Sequence, residues 1–447
     1  MTRNRSAHGL IALPFAFALL GLLLQAQTPA PAARPKALAV LASAPPASLG
    51  LSAERLARMR RAIQGYVDRA ELAGAVMLVA RDGRLAELSA VGQQDRERRV
   101  PMRTDALFRI ASQTKAITSV AVLLLYEEGR FLLTDPISRF LPEFKGPKVL
   151  VPGRDGTAPQ LVAAEREITI RDLLTHRSGI TYGFADNGPV GDAYRKERVT
   201  DGLSSPEVSL ADNMTRLSRA PLVSQPGREY HYGLNTDVLG RLVEVVSGQP
   251  LDVFVRERLF GPLGMDDTAF VVPDAKWPRL GVVYTGAEGG GLRPMKDPES
   301  FDLVVMSPWD YYRPSKKYLS GGAGLVSTAA DYARFLEMLR RGGELGGSRL
   351  LSPKTVELMT ASHTHDISGW PVGPGKEFGL GVDVVVDLGA SEILGSPGAY
   401  GWGGIYGSTY WVDPKERLVA VLMTQRYPGD SRWTNVFRTM VYQALVR

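Results

Sequence analysis

The apolar positions near the start of the chain first follow a helical period and then a strand period. After Ser52, a suitable N-cap, apolar residues recur every three or four positions, which predicts a helix. These residues are Leu56, Met59, Ile63 and Tyr66. The apolar runs 75–80 and 85–91 then flank Asp82-Gly83, a dipeptide typical of hairpin turns. This part therefore predicts one helix followed by a β-hairpin.

A second helix is predicted within residues 108–128, and Gly129 ends it. Its apolar residues lie on nearly every side, which indicates a helix buried inside the protein. They are Ala116, Ile117, Val120, Ala121, Leu123, Leu124 and Leu125.

The pattern changes at residue 131. From there to residue 319, loops rich in proline and glycine separate short helical stretches, with little strand alternation. The predicted helices are Ile170–Leu174, Leu210–Leu217, 237–246 and 251–259. We interpret residues 131–319 as a helical domain inserted into the remainder of the chain.

Strand character returns at residue 320. Thr328 is a suitable N-cap for a helix, with Asp331 at the capping-box position, and strands are predicted at 380–386, 406–412 and Leu418–Thr424. The last helix carries an apolar stripe that includes Trp433 and Phe437. We therefore predict an α/β fold, in which residues 51–130 and 320–447 form an antiparallel sheet flanked by helices, with the helical domain beside it.

The N-terminus predicts export. Residues 1–26 combine Arg3 and Arg5 with an apolar run that is too short to span a membrane, as in a signal peptide. Residues 27–50 are rich in proline and alanine and are predicted to be a disordered linker. We expect a periplasmic or secreted protein, with a membrane association only if the signal is retained.

Composition narrows the function further. The chain has no cysteine, which excludes disulfides and thiol catalysis. The net charge is +6, and the basic residues are scattered, so no nucleic-acid partner is expected. Oligomeric state is left open by the sequence.

Candidate chemistry lies at the start of the buried helix. Ser112 and Lys115 are three residues apart, so a hydroxyl and an amine share one helix face. Burial removes water from the amine and favours its neutral form, which can accept a proton from serine. A Ser-x-x-Lys spacing also arises by chance in a chain of this length, so the remaining motifs decide its meaning.

Other catalytic and binding motifs are absent or incomplete. The chain has no Gly-x-Ser-x-Gly, and the glycines before Lys376 are not followed by the hydroxyl residue of a phosphate loop. His363 and His365 have no distant third ligand, so no metal site is expected. His176 is predicted to anchor a loop by hydrogen bonds rather than to act as a base.

Three further stretches accompany the Ser-x-x-Lys motif. They are residues 226–240 with Tyr230 and Tyr232, the glycine-rich segment 401–407, and the glycine-rich segment 320–328. With these motifs, the chain from about residue 51 to its end resembles the serine β-lactamase and penicillin-binding-protein superfamily, in the class C-like branch that contains the family VIII carboxylesterases.

The resemblance implies a role for each matching residue. Ser112 would be the acylated nucleophile, Lys115 its base or proton relay, and Tyr232 the tyrosine of the second motif. Trp402, Gly403 and Gly404 match the third, substrate-binding motif, and the backbone amides of Ser112 and Ile405 would form the oxyanion hole. No cofactor is implied.

Two departures from the superfamily pattern bear on the substrate. None of the 16 tyrosines is followed two residues later by asparagine, and Leu234 stands at that position after Tyr232. The third motif begins with the neutral Trp402, where β-lactamases and peptidases carry lysine or histidine. Because penicillins and acyl-D-Ala-D-Ala peptides carry a carboxylate, a missing cation favours uncharged esters, unless an arginine from elsewhere compensates.

The expected function is therefore that of a carboxylesterase, a serine hydrolase cleaving small carboxylic esters. Two alternatives stay open: a β-lactamase or D-alanyl-D-alanine-type peptidase that acts at the same site on a β-lactam-like or peptide substrate, and an inactive binder of cell-wall peptides.

Overall fold

An antiparallel sheet formed by both ends of the chain organises the fold. The computed structural model describes residues 41–153, 158–204, 207–367 and 372–446. The predicted signal at residues 1–26 and most of the predicted linker lie outside the described residues.

The α-helices of the described residues include a counterpart of each predicted helix and four further helices. They are α1 (Ala53–Asp68), α2 (Thr114–Glu127), α3 (Ile170–Leu174), α4 (Pro189–Lys196), α5 (Leu210–Leu217), α6 (Asn235–Ser247), α7 (Leu251–Val255), α8 (Gly261–Leu263), α9 (Ala329–Arg340), α10 (Pro353–Thr360), α11 (Leu388–Ser391) and α12 (Ser431–Tyr442). A π-helical turn, Arg256–Phe260, joins α7 to α8, and a 3-10 turn, Ala111–Gln113, precedes α2.

The strands are short outside the central sheet. They are β1 (Gly74–Arg81), β2 (Arg84–Asp95), β3 (Val100–Pro101), β4 (Phe108–Arg109), β5 (Lys148–Val151), β6 (Gln160–Ala163), β7 (Tyr284–Gly286), β8 (Leu292–Pro294), β9 (Glu299–Phe301), β10 (Val304–Met306), β11 (Val326–Ser327), β12 (Glu344–Leu345), β13 (Ser348–Arg349), β14 (Lys376–Phe378), β15 (Asp383–Val385), β16 (Tyr400–Gly403), β17 (Thr409–Asp413) and β18 (Leu418–Thr424).

The central sheet has the strand order β14-β15-β16-β17-β18-β1-β2-β3. β1, near the start of the described residues, pairs with β18, near their end, and Ala75 lies opposite Thr424. The β1–β2 hairpin turns at Asp82 and Gly83, which have φ values of 55° and 73°, as the predicted hairpin requires.

Both faces of the sheet are covered, which explains why β1 is apolar throughout instead of alternating. On one face, Ala75, Met77 and Val79 pack in one apolar cluster with α1 and α12. On the other face, Val76 and Leu78 join a larger cluster that contains the buried residues of α2, α6 and α9. The predicted α/β class, with an antiparallel sheet between helices, is confirmed.

Helix α2 lies in this larger cluster, and twelve of its residues, from Thr114 to Leu125, are buried. It has no polar face, in agreement with its sequence pattern. Its N-terminal end is therefore held rigidly inside the protein, and Ser112 lies in the 3-10 turn immediately before it.

The region 131–319 is less helical and less separate than predicted. It contains α3 to α8, but also the strand pairs β5–β6, β7–β8 and β9–β10. Its buried residues, such as Leu210 and Val238, belong to the same cluster as Val76 and Val421 of the sheet. The two regions thus share one core, because the all-round apolar α2 contacts both α6 and the cluster beneath the sheet.

The predicted linker also needs a correction. Residues 41–50 are ordered: Pro46–Leu49 forms a 3-10 helix, and the Ala44 amide donates to the Leu85 carbonyl at 2.9 Å. Leu49 is buried in the cluster beneath α1. Proline is compatible with the first position of a helical turn, so a proline-rich segment can still pack here.

Two predicted strands have shorter or shifted bounds. The stretch 380–386 is a strand only at Asp383–Val385, and the stretch 406–412 begins its strand at Thr409. The glycine-rich segment 401–407 was not predicted as a strand, but its first part belongs to strand β16, Tyr400–Gly403. No helix among the described residues is long and apolar enough to cross a membrane.

Candidate active site

The 3-10 turn before α2, the edge of β16 and three loops of the region 131–319 line one cavity of about 530 Å³. The predicted site residues Ser112, Tyr232, Trp402, Gly403, Gly404 and Ile405 all line this cavity. Lys115 lies directly behind Ser112 and is fully buried. The structure therefore brings together every site residue that the sequence motifs predicted.

The backbone that presents Ser112 is held in an unusual conformation. Ala111 has a φ of 43°, in the left-handed region that residues with a side chain rarely adopt. Such conformations persist only where surrounding packing enforces them, and they are concentrated at functional sites. Here Ala111 is completely buried, and the Ile110 amide is fixed by a 3.0 Å hydrogen bond to the Leu325 carbonyl.

Lys115 makes three hydrogen bonds through its Nζ atom. The distances are 3.2 Å to Ser112 Oγ, 3.1 Å to the Tyr182 hydroxyl and 2.9 Å to the Gly322 carbonyl. An ammonium group has three N–H donors, so this arrangement satisfies all of them. When the amine is neutral, its lone pair can instead accept the Ser112 proton across the same 3.2 Å contact.

Tyr182 is the site residue that the sequence motifs missed. Its hydroxyl contacts Lys115, and burial raises the pKa of this hydroxyl well above 10, with the charges of Tyr232 and Asp237 adding to the effect. It follows the Leu-Leu-Thr-His-Arg-Ser-Gly phrase at 173–179 by three residues. The short distance from this phrase, which contains the loop-anchoring His176, is the signal by which the sequence could have indicated Tyr182.

Tyr232 contacts Lys115 in a different way. The Lys115 Nζ atom lies 4.5 Å from the centroid of the Tyr232 ring, and the Tyr232 hydroxyl accepts a 3.2 Å hydrogen bond from Trp402 Nε1. The hydroxyl proton of Tyr232 is thus not used by Lys115 or Trp402 and can be donated into the cavity. Tyr230 does not line the cavity, and its ring packs against His176 and Phe378.

His176 anchors the loop that carries Tyr232, as predicted. Its Nδ1 accepts from the Gly233 amide at 3.3 Å and lies 2.9 Å from Asn235 Nδ2, and its ring is 4.8 Å from that of Tyr232. Burial and the nearby charge of Lys115 lower the pKa of His176 well below 6.5. The ring is therefore neutral and acts as an acceptor that positions the tyrosine loop.

Leu234, two residues after Tyr232, contributes no polar group to the site. Leu234 is fully buried in the apolar core, and the following Asn235 is turned toward the Ile180 carbonyl and His176. The Gly322 carbonyl and the Tyr182 hydroxyl are instead the polar partners of Lys115 on this side.

The glycine-rich edge of β16 approaches the segment before Ser112 closely. A Cβ atom at Gly404 would lie 2.8 Å from the Ile110 carbonyl oxygen, so only glycine allows this contact. The Gly404 amide donates to the Ser408 carbonyl, whereas the Ile405 amide donates no hydrogen bond within the part of the chain that the structure describes. An unused amide beside Ser112 is suited to a developing oxyanion.

The charges around the cavity are unevenly distributed. Lys376 pairs with Asp383 at 2.7 Å, and both line the cavity, so this pair is locally neutral. Arg438 donates through Nε to the Leu394 carbonyl at 2.6 Å, and its guanidinium lies 4.8 Å from the Trp411 ring. Within the described ranges, no three His, Asp or Glu side chains are grouped as metal ligands.

His363 and His365, the histidine pair without a third ligand in the sequence, have different surroundings. His363 is buried, with its Nε2 atom 2.8 Å from the Leu358 carbonyl oxygen, and His365 is exposed. The Lys376 segment forms a turn into β14.

Residues 59–442 match the β-lactamase family. The chain belongs to this family. Among curated proteins, Esterase EstB of Burkholderia gladioli is 35% identical over 399 residues, which cover 87% of this chain and 96% of the esterase. This likeness agrees with the resemblance that the motifs predicted, to the esterase-like branch of the serine β-lactamase superfamily.

Solved structures agree with this family assignment. EstCE1, described as a hydrolase with promiscuous acyltransferase activity, is 29% identical with a TM-score of 0.76, and the match covers 87% of this chain and 98% of EstCE1. A mutant simvastatin synthase of Aspergillus terreus is 26% identical with a TM-score of 0.71, and the match covers 88% of this chain and 98% of the synthase. The β-lactamase-family protein described here is an enzyme of the hydrolase class.

Proposed function

We propose that this enzyme is a carboxylesterase that cleaves small esters through an acyl-enzyme on Ser112. The observation that carries the proposal is the contact of Ser112 with Lys115 at the wall of a cavity whose third-motif position is the neutral Trp402. The name of the related Esterase EstB supports the same activity.

The geometry suggests a sequence of proton transfers. Lys115, as the neutral amine, takes the Ser112 proton while Oγ attacks the ester carbonyl, and the amides of Ser112 and Ile405 stabilise the oxyanion. Tyr232 or Lys115 then donates a proton to the departing alcohol. Water attacks the acyl-enzyme with the same groups in reverse, which releases the acid and restores Ser112.

Each residue around this centre has a distinct part. Tyr182 and the Gly322 carbonyl hold the Lys115 amine in place, and Trp402 holds the hydroxyl of Tyr232. No metal or organic cofactor is required, because each proton passes between side chains that are already present.

The deciding experiment follows the acyl group. The protein is mixed with short-chain p-nitrophenyl esters, and intact-protein and peptide mass spectra are recorded after rapid acid quench. We expect acylation of Ser112 and a Ser112→Ala variant that loses at least about a thousandfold in kcat. A Ser112→Ala variant with the parent rate would overturn the proposal.

A second candidate is hydrolysis of an anionic substrate, either a β-lactam or a D-Ala-D-Ala peptide. Arg438 favours it, because this guanidinium lines the same cavity and could pair with a carboxylate that Trp402 cannot hold. Nitrocefin and a D-Ala-D-Ala peptide should be compared with a neutral ester. Preference for either anion, lost in Arg438→Gln, would support this second candidate over the first.

A catalytically inactive binder of cell-wall peptides, which the sequence alone left open, disagrees with the esterase and hydrolase relatives. It predicts that neither a fluorophosphonate nor a labelled penicillin modifies Ser112.

We also propose that the protein is exported, because of the signal-like residues 1–26. Cell fractionation, with a cytoplasmic marker enzyme as the control, tests this location.

A further inference from the structure

One carboxylate in the cavity has no part in the mechanism above. Asp201 lines the same cavity as Ser112. Its Oδ1 accepts a 3.0 Å hydrogen bond from the Leu203 amide. Its Oδ2 accepts no hydrogen bond, and no cation lies within ion-pair distance, among the residues that the structure describes.

The contrast with Asp383 shows how unusual this is. Asp383 also lines the cavity, but Lys376 neutralises it at 2.7 Å. A carboxylate removed from water without a counter-ion is unfavourable, and a bound cation would offset that cost.

The segment that carries Asp201 is fixed beside the reactive groups. Leu203 is buried in one apolar cluster with Ala111, the neighbour of Ser112, and with Ala323, while Ile405 packs against that cluster. Gly202 has a φ of 80°, and a Cβ atom there would be 2.4 Å from Ser320 Oγ. The segment that places Asp201 in the cavity wall is therefore held by close packing.

Aromatic rings line the same cavity and pack beside the segment that carries Asp201. Phe184 lines the cavity and is stacked on Tyr182 with a centroid distance of 4.8 Å. Tyr406 belongs to the apolar cluster that contains Leu203, two residues after Asp201, and Tyr427 packs against that cluster. Burial raises the pKa of Asp201 to about 6, with the charge of Asp237 adding to this, so the carboxylate is ionised at neutral pH.

We infer that Asp201 and the adjoining aromatic rings form an ammonium-binding subsite, which makes esters with a cationic amine the preferred substrates of this enzyme. A carboxylate together with aromatic ring faces is the combination that binds alkylammonium groups. The inference rests on the proposed esterase function and adds the substrate class to it. It also disfavours acids that carry a second carboxylate, because Asp201 repels them.

The test uses pairs of esters that differ only in charge. In one pair the cation is on the alcohol, with acetylcholine against 3,3-dimethylbutyl acetate. In the other pair it is on the acyl group, with the p-nitrophenyl esters of 4-(trimethylammonio)butanoate and 5,5-dimethylhexanoate. In each pair a quaternary nitrogen replaces a quaternary carbon, so shape is held constant.

We expect the intact enzyme to prefer the cationic member of at least one pair in kcat/KM. Asp201→Asn keeps an acceptor for the Leu203 amide and should lower that preference by about tenfold, mainly through KM. The neutral member should change less than threefold. Asp274→Asn, the same change at an exposed residue outside the cavity, is the matched control and should keep the full preference.

The outcomes separate the two proposals. If the intact enzyme hydrolyses none of the four esters, the proposed function fails. If it hydrolyses them but shows no cationic preference, or if Asp201→Asn retains the preference, the ammonium subsite is wrong. Should Asp201→Asn not fold, inhibition of neutral-ester hydrolysis by choline against 3,3-dimethylbutanol decides: equal inhibition overturns the subsite, and stronger inhibition by choline supports it.

Discussion

Trp402 donates a hydrogen bond from its indole Nε1 to the hydroxyl of Tyr232 at 3.2 Å. The residue that replaces a cation in the third motif thus also orients the tyrosine of the second motif. This contact crosses the cavity from strand β16 to the loop before α6. In the proposed function, substrate preference and proton transfer therefore both depend on this one side chain.

Trp402→Phe tests this link. Phenylalanine keeps an aromatic ring but loses the indole donor, so the Tyr232 hydroxyl is less well oriented. We expect kcat for p-nitrophenyl acetate to fall about tenfold, in the range of one lost hydrogen bond, while KM changes little. Trp277→Phe, which lies outside the cavity, is the control. A fall confined to KM would show that Trp402 only binds substrate.

The two cavity tyrosines should have separable kinetic effects. Tyr232→Phe removes the proposed proton donor and should lower kcat about a hundredfold or more. Tyr182→Phe removes only one of the three hydrogen-bond partners of Lys115 and should lower kcat about tenfold.

Tyr230→Phe is the matched control for both tyrosines. This residue is outside the cavity, and its hydroxyl is buried without a hydrogen-bond partner in the described structure, so activity should stay within about twofold. If Tyr230→Phe were the variant that loses turnover, the assignment of the second-motif tyrosine would be off by two residues.

Gly321 is expected to be irreplaceable for a steric reason. A Cβ atom there would lie 2.4 Å from the Thr236 carbonyl oxygen, and the Gly321 carbonyl accepts from Thr118 Oγ1 at 2.7 Å. Gly321→Ala must therefore displace the loop that presents the Gly322 carbonyl to Lys115. We expect a loss of about 1–3 kcal/mol in the free energy of unfolding and a lower kcat.

The control for this loop is Gly389→Ala. Gly389 lies in α11, where the nearest atom to an added Cβ would be 3.4 Å away, so ordinary contact results. Urea unfolding and ester hydrolysis are measured for both variants. Equal stability of the two alanine variants would contradict the close approach of the 320–325 loop to α6.

His176 should make stability depend on pH. Burial holds its pKa in the folded protein well below the ordinary value of 6.5, so the unfolded chain binds the proton first as pH falls. The stability from the neutral ring is thus present above pH 6.5 and is lost below it, by up to about 1.4 kcal/mol per pH unit.

Urea unfolding at pH 7.5, 6 and 5 measures this effect. His176→Gln should lack this part of the acid destabilisation, whereas His365→Gln, at an exposed position, should keep it. Acid destabilisation of the same size in the intact enzyme and in His176→Gln would show that His176 is not responsible.

Local patterns were sufficient for much of the fold. β18 was predicted at its observed bounds, Leu418–Thr424, because a continuous apolar run covered on both faces needs no partner information to be recognised. The helices α3 and α5 were also predicted at their observed bounds. Strand β16 was not, since its glycines lack the β-branched residues typical of strands, and its pairing with β17 compensates for that.

By itself, the sequence determined which helix carries the candidate nucleophile and placed Ser112 one turn from Lys115, because that spacing depends only on helix geometry. Only the tertiary structure decided that the Tyr182 hydroxyl holds the lysine, that Trp402 contacts Tyr232, and that Asp201 faces the same cavity with no counter-ion among the described residues. Lys115 and Tyr182 are 67 positions apart in the chain, and Tyr232 and Trp402 are 170 positions apart. No local sequence spacing encodes contacts between such distant segments.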